Sequence, residues 1–486
     1  MLTAAQAVAK VAVLYAGLAA RRPEITRMEA YFRGDHPLTY ATPEWAKAHQ
    51  DRYKGFSDNW CRVVGTAPGQ RTEVVGFRLP SEASYEPLSE AERLLWDDWD
   101  RNDMPAQASQ GFLTSTIAKR SAVLVWADSA EEPVMTWEHP SQVIVDYDPE
   151  VPRIRRAALK AWLEDDLEYA TLYTPDHVWK FQRPRGVGIT AGMTVSGLHV
   201  SSLFTGGDWT PRADTGDDVW PIPNPMGVVP IVEYQNRPML GGEPLSDIEG
   251  TIAMQDAINI LWAYTFVAAD YASMPARVVM GQDPPKIPVL DANGQKIGEK
   301  AVDIAELTKG RMLWLTGQTA KVGQWDAARL DVFTDVINVA VRHVAAQTST
   351  PIYLVHGELG NVNGETLTGL DAPLVTKIQE GHKFYRSPTQ EVFRLAALVR
   401  GDDAVARACR TGTVSWRDPQ MRNDAQVSDA ALKDRQVGWP LQAVLERRYG
   451  LPPDEVARYL AMAEAEQSDP LAAGLLRGLS GDAAGV

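Results

Sequence analysis

The stretch TSTPIYLVHGELGNVNG, Thr348 to Gly364, joins two segments whose apolar residues recur with helical spacing. It contains one Pro, three Gly and two Asn, and the only groups in it that carry charge near neutral pH are His356 and Glu358. A compact domain rarely places so long a connection between two helices unless the loop has a task or is disordered. We interpret it as a functional loop. An exposed connection with no role is the alternative.

Two predicted helices that precede the loop carry more apolar surface than one chain of this pattern is expected to cover. A helix predicted from Ser246 to about Ala272 has one stripe through Met254, Ile258, Leu261, Thr265 and Ala268 and a second through Ala253, Ala257, Ile260, Tyr264, Val267 and Tyr271. A returning helix from about Ala327 carries Phe333, Ile337, Ala340 and Val344 on one face. We expect Ile258, Leu261, Phe333 and Ile337 to pack between copies of the chain. A central helix inside a large monomeric core is the alternative.

Composition limits the classes of function. The chain has 486 residues, 45% of them apolar, and a formal net charge of −15. Such a length favours two or more domains, and the two distant cysteines, Cys61 and Cys409, fit a reducing compartment. The uncharged run from Ala257 to Ala269 is shorter than a bilayer requires, so no membrane span is predicted.

The charge also bears on nucleic acids. Tight binders neutralise phosphates with clustered Lys and Arg, which an acidic chain does not favour. A nearly uncharged loop would instead let a duplex pass without holding it. The loop residues expected at such a passage are Thr350, His356, Glu358, Asn361 and Asn363.

The rest of the chain predicts an α+β fold. Helical patterns cover Leu2 to Tyr31 and Ser89 to Arg101, where Ser89 and Glu92 have capping-box spacing, as do Ser246 and Glu249. Short strands are predicted at Ser121 to Trp126, Gln142 to Val145, Tyr169 to Tyr173, Val178 to Gln182, Val228 to Tyr234, Arg277 to Met280, Gly310 to Leu315 and Thr413 to Trp416. Residues 183 to 227 are predicted to be a surface insertion.

A long helix is predicted to begin at Glu365 and to continue to Val399, with a kink or division at Gly381 and Pro388. Two further helices are predicted around Pro440 to Arg448 and Asp454 to Glu466. The second carries four acidic residues, so a plain helical hairpin is favoured over a DNA-binding helix-turn-helix regulator.

No catalytic motif is present. The eight histidines are scattered without an HExxH pattern, and neither GxxxxGK[ST] nor GxSxG occurs. We predict no catalytic residue, no metal and no cofactor. The alternative is a Mg²⁺-dependent phosphoryl-transfer or nuclease enzyme that uses the acidic pairs Asp146/Asp148, Asp165/Asp166 and Asp217/Asp218.

Four segments resemble the bacteriophage portal proteins, particularly the SPP1-like branch of actinobacterial phages. They are YFRGDHPLTYA (Tyr31 to Ala41), FSDNWCRVVGTAPGQRTEVVGF (Phe56 to Phe77), NPMGVVPIVEYQNRP (Asn224 to Pro238) and TSTPIYLVHGELGNVNGETLTGLDAPLVTKIQEGHKFY (Thr348 to Tyr385). The last segment is similar to that family's tunnel loop and the helix that follows it.

The resemblance implies a portal-type fold with an α/β wing, a two-helix stem, a small β-containing clip, a long spine helix and a helical crown. The implied boundaries are wing 1–245, first stem helix 246–272, clip 273–326, second stem helix 327–347, tunnel loop 348–364, spine helix of the wing 365–400 and crown 401–486.

It also implies a non-enzymatic role. The expected assembly is a ring of about twelve subunits at one capsid vertex of the virion, put together in the host cytoplasm. Double-stranded DNA would pass through its channel without sequence specificity during packaging and ejection. The implied partners are the terminase large subunit, a head-completion adaptor, the scaffold and the major capsid protein.

Overall fold

The structure is a computed structural model that describes residues 2–37, 56–80, 88–185, 208–212, 220–273, 277–280, 286–290, 294–301, 321–324, 329–351, 353–354, 364–420, 424–451 and 453–468. The chain divides into two compact units. The first consists of Met1–Pro37, Ser57–Gln255 and Val341–Val486, and the second of Leu38–Phe56 and Asp256–Ala340.

Helices and antiparallel sheets together confirm the α+β class. The α-helices are α1 Ala4–Arg33, α2 Trp60–Gly69, α3 Glu90–Arg101, α4 Met104–Ala118, α5 Ile252–Ser273, α6 Asp331–Thr348, α7 Gly364–Val399, α8 Asp403–Cys409, α9 Asp424–Val437, α10 Leu441–Val444 and α11 Pro453–Ser468. A 3₁₀ turn at Glu249–Thr251 precedes α5, and a π-helical turn at Leu445–Tyr449 follows α10.

The strands form five separate sheets among the described residues. They are β1 Val74–Arg78, β2 Arg120–Ala127, β3 Pro133–Glu138, β4 Val143–Tyr147, β5 Arg155–Glu164, β6 Leu167–Tyr173, β7 His177–Pro184, β8 Thr210–Pro211, β9 Ile222–Pro223, β10 Ile231–Gln235, β11 Arg277–Met280, β12 Lys286–Leu290, β13 Lys296–Ala301, β14 Lys321–Gln324 and β15 Thr413–Trp416. The largest sheet has the order β4-β5-β6-β7-β8, with β9 also paired to β7, and a second has the order β10-β2-β3. The remaining pairs are β1 with β15, β11 with β14 and β12 with β13.

Each face of the largest sheet is covered. On one face, alternate residues such as Leu159, Leu172 and Phe181 form a core with Val11 and Leu18 of α1. On the other, residues such as Ala158, Tyr173 and Val178 pack with Ile231 of β10. Alternation along the strands thus places α1 and the smaller sheet on opposite sides.

An aromatic core holds the first unit together. Trp99 of α3, Phe112 of α4 and Phe393 of α7 are fully buried in it. The Phe77 and Phe393 rings stack with centroids 4.2 Å apart, and those of Phe112 and Tyr385 stack 5.0 Å apart. The second half of α7 is therefore a central element of this unit.

The segment after α7 belongs to the same core. Strand β15 pairs antiparallel with β1, with Phe77 opposite Val414, and Ala406 and Cys409 of α8 are buried beside Phe393. The core of the first unit therefore extends beyond α7 into α8 and β15.

The two predicted capping boxes have different outcomes. Ser89 Oγ accepts from the Glu92 amide at 3.2 Å, and Glu92 accepts from the Ser89 amide at 2.7 Å, so the first is confirmed. The second is wrong, because α5 begins only at Ile252. The Ser246 hydroxyl instead donates to the Ile117 carbonyl at 2.6 Å, and Glu249 pairs with Lys119 at 3.0 Å.

The long helix was predicted to be kinked or divided at Gly381 and Pro388, and the division is wrong, since α7 is continuous from Gly364 to Val399. Pro388 removes one backbone donor, but the turns around it are held by burial of Tyr385, Val392 and Phe393 in the aromatic core. Thr389 also donates its hydroxyl to the Tyr385 carbonyl at 2.8 Å.

The short strands between α5 and α6 were predicted in part. Strand Arg277–Met280 is confirmed and pairs with Lys321–Gln324. Strands β12 and β13 pair antiparallel, and Gly294, just before β13, has a left-handed φ of 76°. Gly310 to Leu315 lies outside the described residues.

One segment of the described chain, Glu249–Asp270, is long and apolar enough to cross a membrane by length and composition. Core helices pass the same test, and 44% of its most apolar window is buried inside the protein. The segment alone is therefore weak evidence for a membrane span.

Candidate functional site

The candidate site is the loop between α6 and α7. Its predicted residues His356, Glu358, Asn361 and Asn363 lie outside the described residues, whereas Thr350 is described. What the structure shows is how both ends of the loop are attached to the first unit.

The entrance to the loop is a tight helix end. Ser349 takes a left-handed φ of 56°, and the Thr350 amide donates back to the Ala345 carbonyl at 3.0 Å, which is a Schellman-type ending. The hydroxyls of Thr348 and Thr350 lie 2.8 Å apart, and both side chains are buried. Thr350 thus fixes the start of the loop, and its hydroxyl does not face solvent.

An arginine from a distant part of the chain joins the two sides of the loop. Arg71, between α2 and β1, places Nη1 2.5 Å from Oδ2 of Asp371 on α7 and donates from Nη2 to the Tyr353 hydroxyl at 3.2 Å. Tyr353 in turn donates to Asp371 Oδ1 at 2.7 Å. These three residues, which we call the Arg71 clamp, connect Tyr353 on the entry side with Asp371 on the exit side.

The pKa shifts of Tyr353 and Arg71 keep the phenol neutral and the guanidinium charged, as the hydrogen bonds of the clamp require. Burial and the hydrogen bond to Asp371 raise the pKa of Tyr353, so the phenol stays protonated as a donor. For Arg71, burial opposes the charge, but the hydrogen bonds to Asp371 and Tyr353 outweigh it and raise its pKa. The guanidinium remains a permanent cation between its two partners.

A second buried ion pair lies next to the clamp. Lys377 Nζ on α7 is 2.8 Å from Asp247 Oδ2 and donates to the Thr348 carbonyl at 3.1 Å. Asn236 donates to Asp247 Oδ1 at 3.0 Å. Burial lowers the pKa of Lys377, and Asp247 opposes that shift. The carbonyl end of α6, the segment before α5 and the first half of α7 thus meet at one ammonium group.

The four residues expected to pack between subunits differ in exposure. Ile258 and Ile337 are buried within a single chain, whereas Leu261 and Phe333 are only partly buried. The exposed large apolar residues of α6 are Val332, Val336 and Val339, with 52%, 48% and 49% of their surface accessible. Their spacing of four and three residues places them on one helix face.

Of the acidic pairs of the enzyme alternative, the structure describes Asp146/Asp148 and Asp165/Asp166. Asp146 pairs with Lys10 at 2.6 Å and with Arg156 at 3.1 Å, and Asp148 accepts from the amides of Glu150 and Val151. Asp165 lies in the β5–β6 turn, and Asp217 and Asp218 lie outside the described residues. Within the described ranges, no group of three His, Cys, Asp or Glu side chains could hold a metal ion.

The sequence did not lead us to predict Arg71, Asp371, Lys377 and Asp247 as residues of the site, although it carries one indication that Asp371 is buried. Asp371 continues the apolar stripe of Leu367, Leu374 and Ile378, where a carboxylate predicts a buried partner. The partner itself is 300 positions away in sequence, so no local pattern identifies it.

The described geometry is thus that of an α+β chain in which the loop between two long helices is anchored at both ends. Residues 12–469 match the family described as phage portal protein, SPP1 Gp6-like. Because this match covers most of the chain, the protein belongs to that family.

Two portal proteins of mycobacteriophages are similar to the chain. The portal protein of Mycobacterium phage L5 is 25% identical over 393 residues, which cover 76% of this chain and 71% of the relative. The portal protein of Mycobacterium phage D29 is also 25% identical, over the same shares of both chains.

Proposed function

We propose that this chain forms a ring of about twelve copies at one capsid vertex and that double-stranded DNA passes through the channel of that ring during packaging and ejection. Membership in the portal family supports the assembly. The observation that carries the role of the loop is its anchorage, since the Arg71 clamp and Lys377 fix both of its ends to one buried frame.

The anchorage has a mechanical consequence. Tyr353 and Asp371 share one guanidinium partner, so the two ends of the loop are held at one fixed base. A base of buried ion pairs resists displacement by a moving polymer better than an exposed hinge, because opening it would leave charges unpaired in the interior. The segment carries few charges, so a DNA backbone would gain little attraction there.

The exposed valine face of α6 supports the ring. We assign the face formed by Val332, Val336 and Val339, and also the partly buried Phe333 and Leu261, to contact with a neighbouring copy. We infer that the terminase large subunit, a head-completion adaptor, the scaffold and the major capsid protein are the partners, as the family resemblance implies. The ring would assemble in the host cytoplasm.

The test is a deletion of residues 356–361, which keeps Tyr353 and Asp371 in place. We expect particles of unchanged mass by light scattering, with a loss of DNase-protected DNA in heads assembled with the variant. A deletion of equal length within residues 190–195, in the predicted surface insertion, is the control. Normal packaging by the loop deletion would refute the channel role, and loss of the oligomer would show that the loop is structural.

A further inference from the structure

Strand β3 forms one edge of the sheet β10-β2-β3, because no further strand pairs with it among the described residues. In an antiparallel pair, alternate residues direct their N–H and C=O groups away from the partner strand. On β3 these outward residues are Pro133, Met135 and Trp137, whose backbone groups bond to side chains. Such a row of outward backbone groups is a template on which another chain can pair.

The side chain of Asn102 takes the place of one peptide group of a neighbouring strand. Asn102 follows α3, and its Nδ2 donates to the Pro133 carbonyl at 3.0 Å, while its Oδ1 accepts from the Met135 amide at 3.0 Å. A residue of a parallel strand opposite Val134 would offer the same donor and the same acceptor. The edge is therefore already occupied at this position.

The side chain of Gln107 on α4 repeats this arrangement two residues further along β3. Its Nε2 donates to the Met135 carbonyl at 3.3 Å, and its Oε1 accepts from the Trp137 amide at 2.8 Å. The two amides also hold each other in place, since Gln107 Nε2 donates to the Asn102 carbonyl at 2.7 Å. Together they cover the edge with the two-residue repeat of a strand.

The close approach of α4 to β3 depends on a glycine. A Cβ atom at Gly111 would lie 1.7 Å from the Trp137 ring, so only a residue without a side chain allows this approach. Gln107 lies four residues before Gly111, one helical turn away, and thus reaches the strand backbone.

The composition of β3 explains why an open edge would be a liability. Its central run, Val134 to Trp137, contains β-branched and aromatic residues and no charge. The acidic residues at its ends offer little repulsion against a second copy, because Glu132 pairs with Arg101 at 2.9 Å and Glu138 with Lys160 at 2.5 Å. Uncharged edge strands of this kind favour pairing between copies.

We propose that the side-chain amides of Asn102 and Gln107 close the edge of β3 and prevent copies of the chain from joining through this strand. Association is then left to other surfaces of the molecule. The inference uses contacts within the first unit only, so it stands apart from the proposed function.

The test combines Asn102→Ala with Gln107→Ala in the full chain. The probe is a fluorescein-labelled peptide that carries residues 133–137 between neutral serines, and binding is read by fluorescence anisotropy. We expect the double variant to bind the peptide at least tenfold more tightly than the native chain, because the uncovered backbone groups gain partners. Ser109→Ala with Gln110→Ala, at exposed positions of α4, is the control and should bind like the native chain.

A second peptide with the same side chains and N-methylated amides at residues 134–137 lacks the backbone donors of a strand and should bind neither protein. Gln107→Ala alone opens half of the edge and tests the same prediction if the double variant does not fold, as judged by its far-ultraviolet spectrum. Equal binding of the first peptide by the native chain and the variants, or its absence from all of them, would overturn the proposal. Binding of the N-methylated peptide would do so as well, since it would show that the backbone of the edge is not involved.

Discussion

The Lys377 ammonium lies 2.8 Å from the Asp247 carboxylate, and only 7% and 1% of their side-chain surfaces are accessible. A lysine buried to this degree keeps its charge only when its donors are used. Here Lys377 also donates to the Thr348 carbonyl, so one side chain holds the end of α6 and the segment before α5 against α7.

Removing the cation leaves Asp247 buried and only partly compensated by Asn236 and Arg237. We therefore expect Lys377→Met to lower the free energy of unfolding by about 3 kcal/mol, measured by urea denaturation. The matched control is Lys433→Met, since Lys433 forms an exposed pair with Asp429 and its loss costs about 0.5 kcal/mol. Equal effects of both substitutions would show that burial of the pair does not matter.

The Arg71 clamp predicts a change in the mobility of the loop. Arg71→Leu removes the hydrogen-bonding partner that Tyr353 and Asp371 share, so local opening of the loop ends should rise about tenfold or more. Limited proteolysis with mass-spectrometric mapping should show faster cleavage between residues 352 and 364. Arg417→Leu, at an exposed pair with Glu73, is the control and should leave cleavage there unchanged. An unchanged rate for Arg71→Leu would argue against the clamp.

His382 predicts a sensitivity to acid. It stacks on Trp416 with centroids 4.5 Å apart, and burial lowers its pKa to about 4. The unfolded chain, with an ordinary histidine pKa near 6.5, takes up the proton first as pH falls. The pKa difference therefore has no effect on stability above about pH 6.5, and stability is lost as pH falls from about 6.5 to 4, by up to about 3 kcal/mol.

The measurement is urea unfolding at pH 7.5, 6 and 5. His382→Phe should lose stability less steeply over this range than the native chain does. His343→Phe, at an exposed position of α6, should keep the native pH dependence. Identical slopes for the native chain and His382→Phe would contradict the assignment.

The valine face of α6 predicts an assembly defect. Val336 is 48% exposed in a single chain, so Val336→Glu should be tolerated in the folded subunit and should disfavour burial of that face against another copy. We expect particles of lower mass by light scattering, with an unchanged far-ultraviolet spectrum. Val13→Glu, at a 67% exposed position of α1, is the control. Full-size particles from Val336→Glu would remove this face from the proposed interface.

Local sequence patterns were enough to predict many of the helices and strands. The Ser89–Glu92 capping box is confirmed because both of its hydrogen bonds are made within four residues. The strand Thr413–Trp416 was predicted from β-branched and aromatic residues, but its partner Val74–Arg78 was not, since pairing across the whole chain leaves no periodic signal.

The predictions that failed share a physical cause, which is contact with residues distant in sequence. Ser246 has the chemistry of a helix cap, yet tertiary contact with the Ile117 carbonyl takes its hydroxyl. Pro388 has the chemistry of a helix breaker, yet the aromatic core around Phe393 keeps α7 continuous. The anchorage of the loop depends on the distant partners Arg71 and Asp247, which only the folded chain brings together.

The central claim is that copies of this chain close into a ring with a passage through its middle. Negative-stain electron microscopy of the purified chain tests it most directly. We expect annular particles with a central hole, with a mass of about 640 kDa for about twelve subunits of 53.4 kDa. Solid particles with the mass of one chain at micromolar concentration would contradict the account.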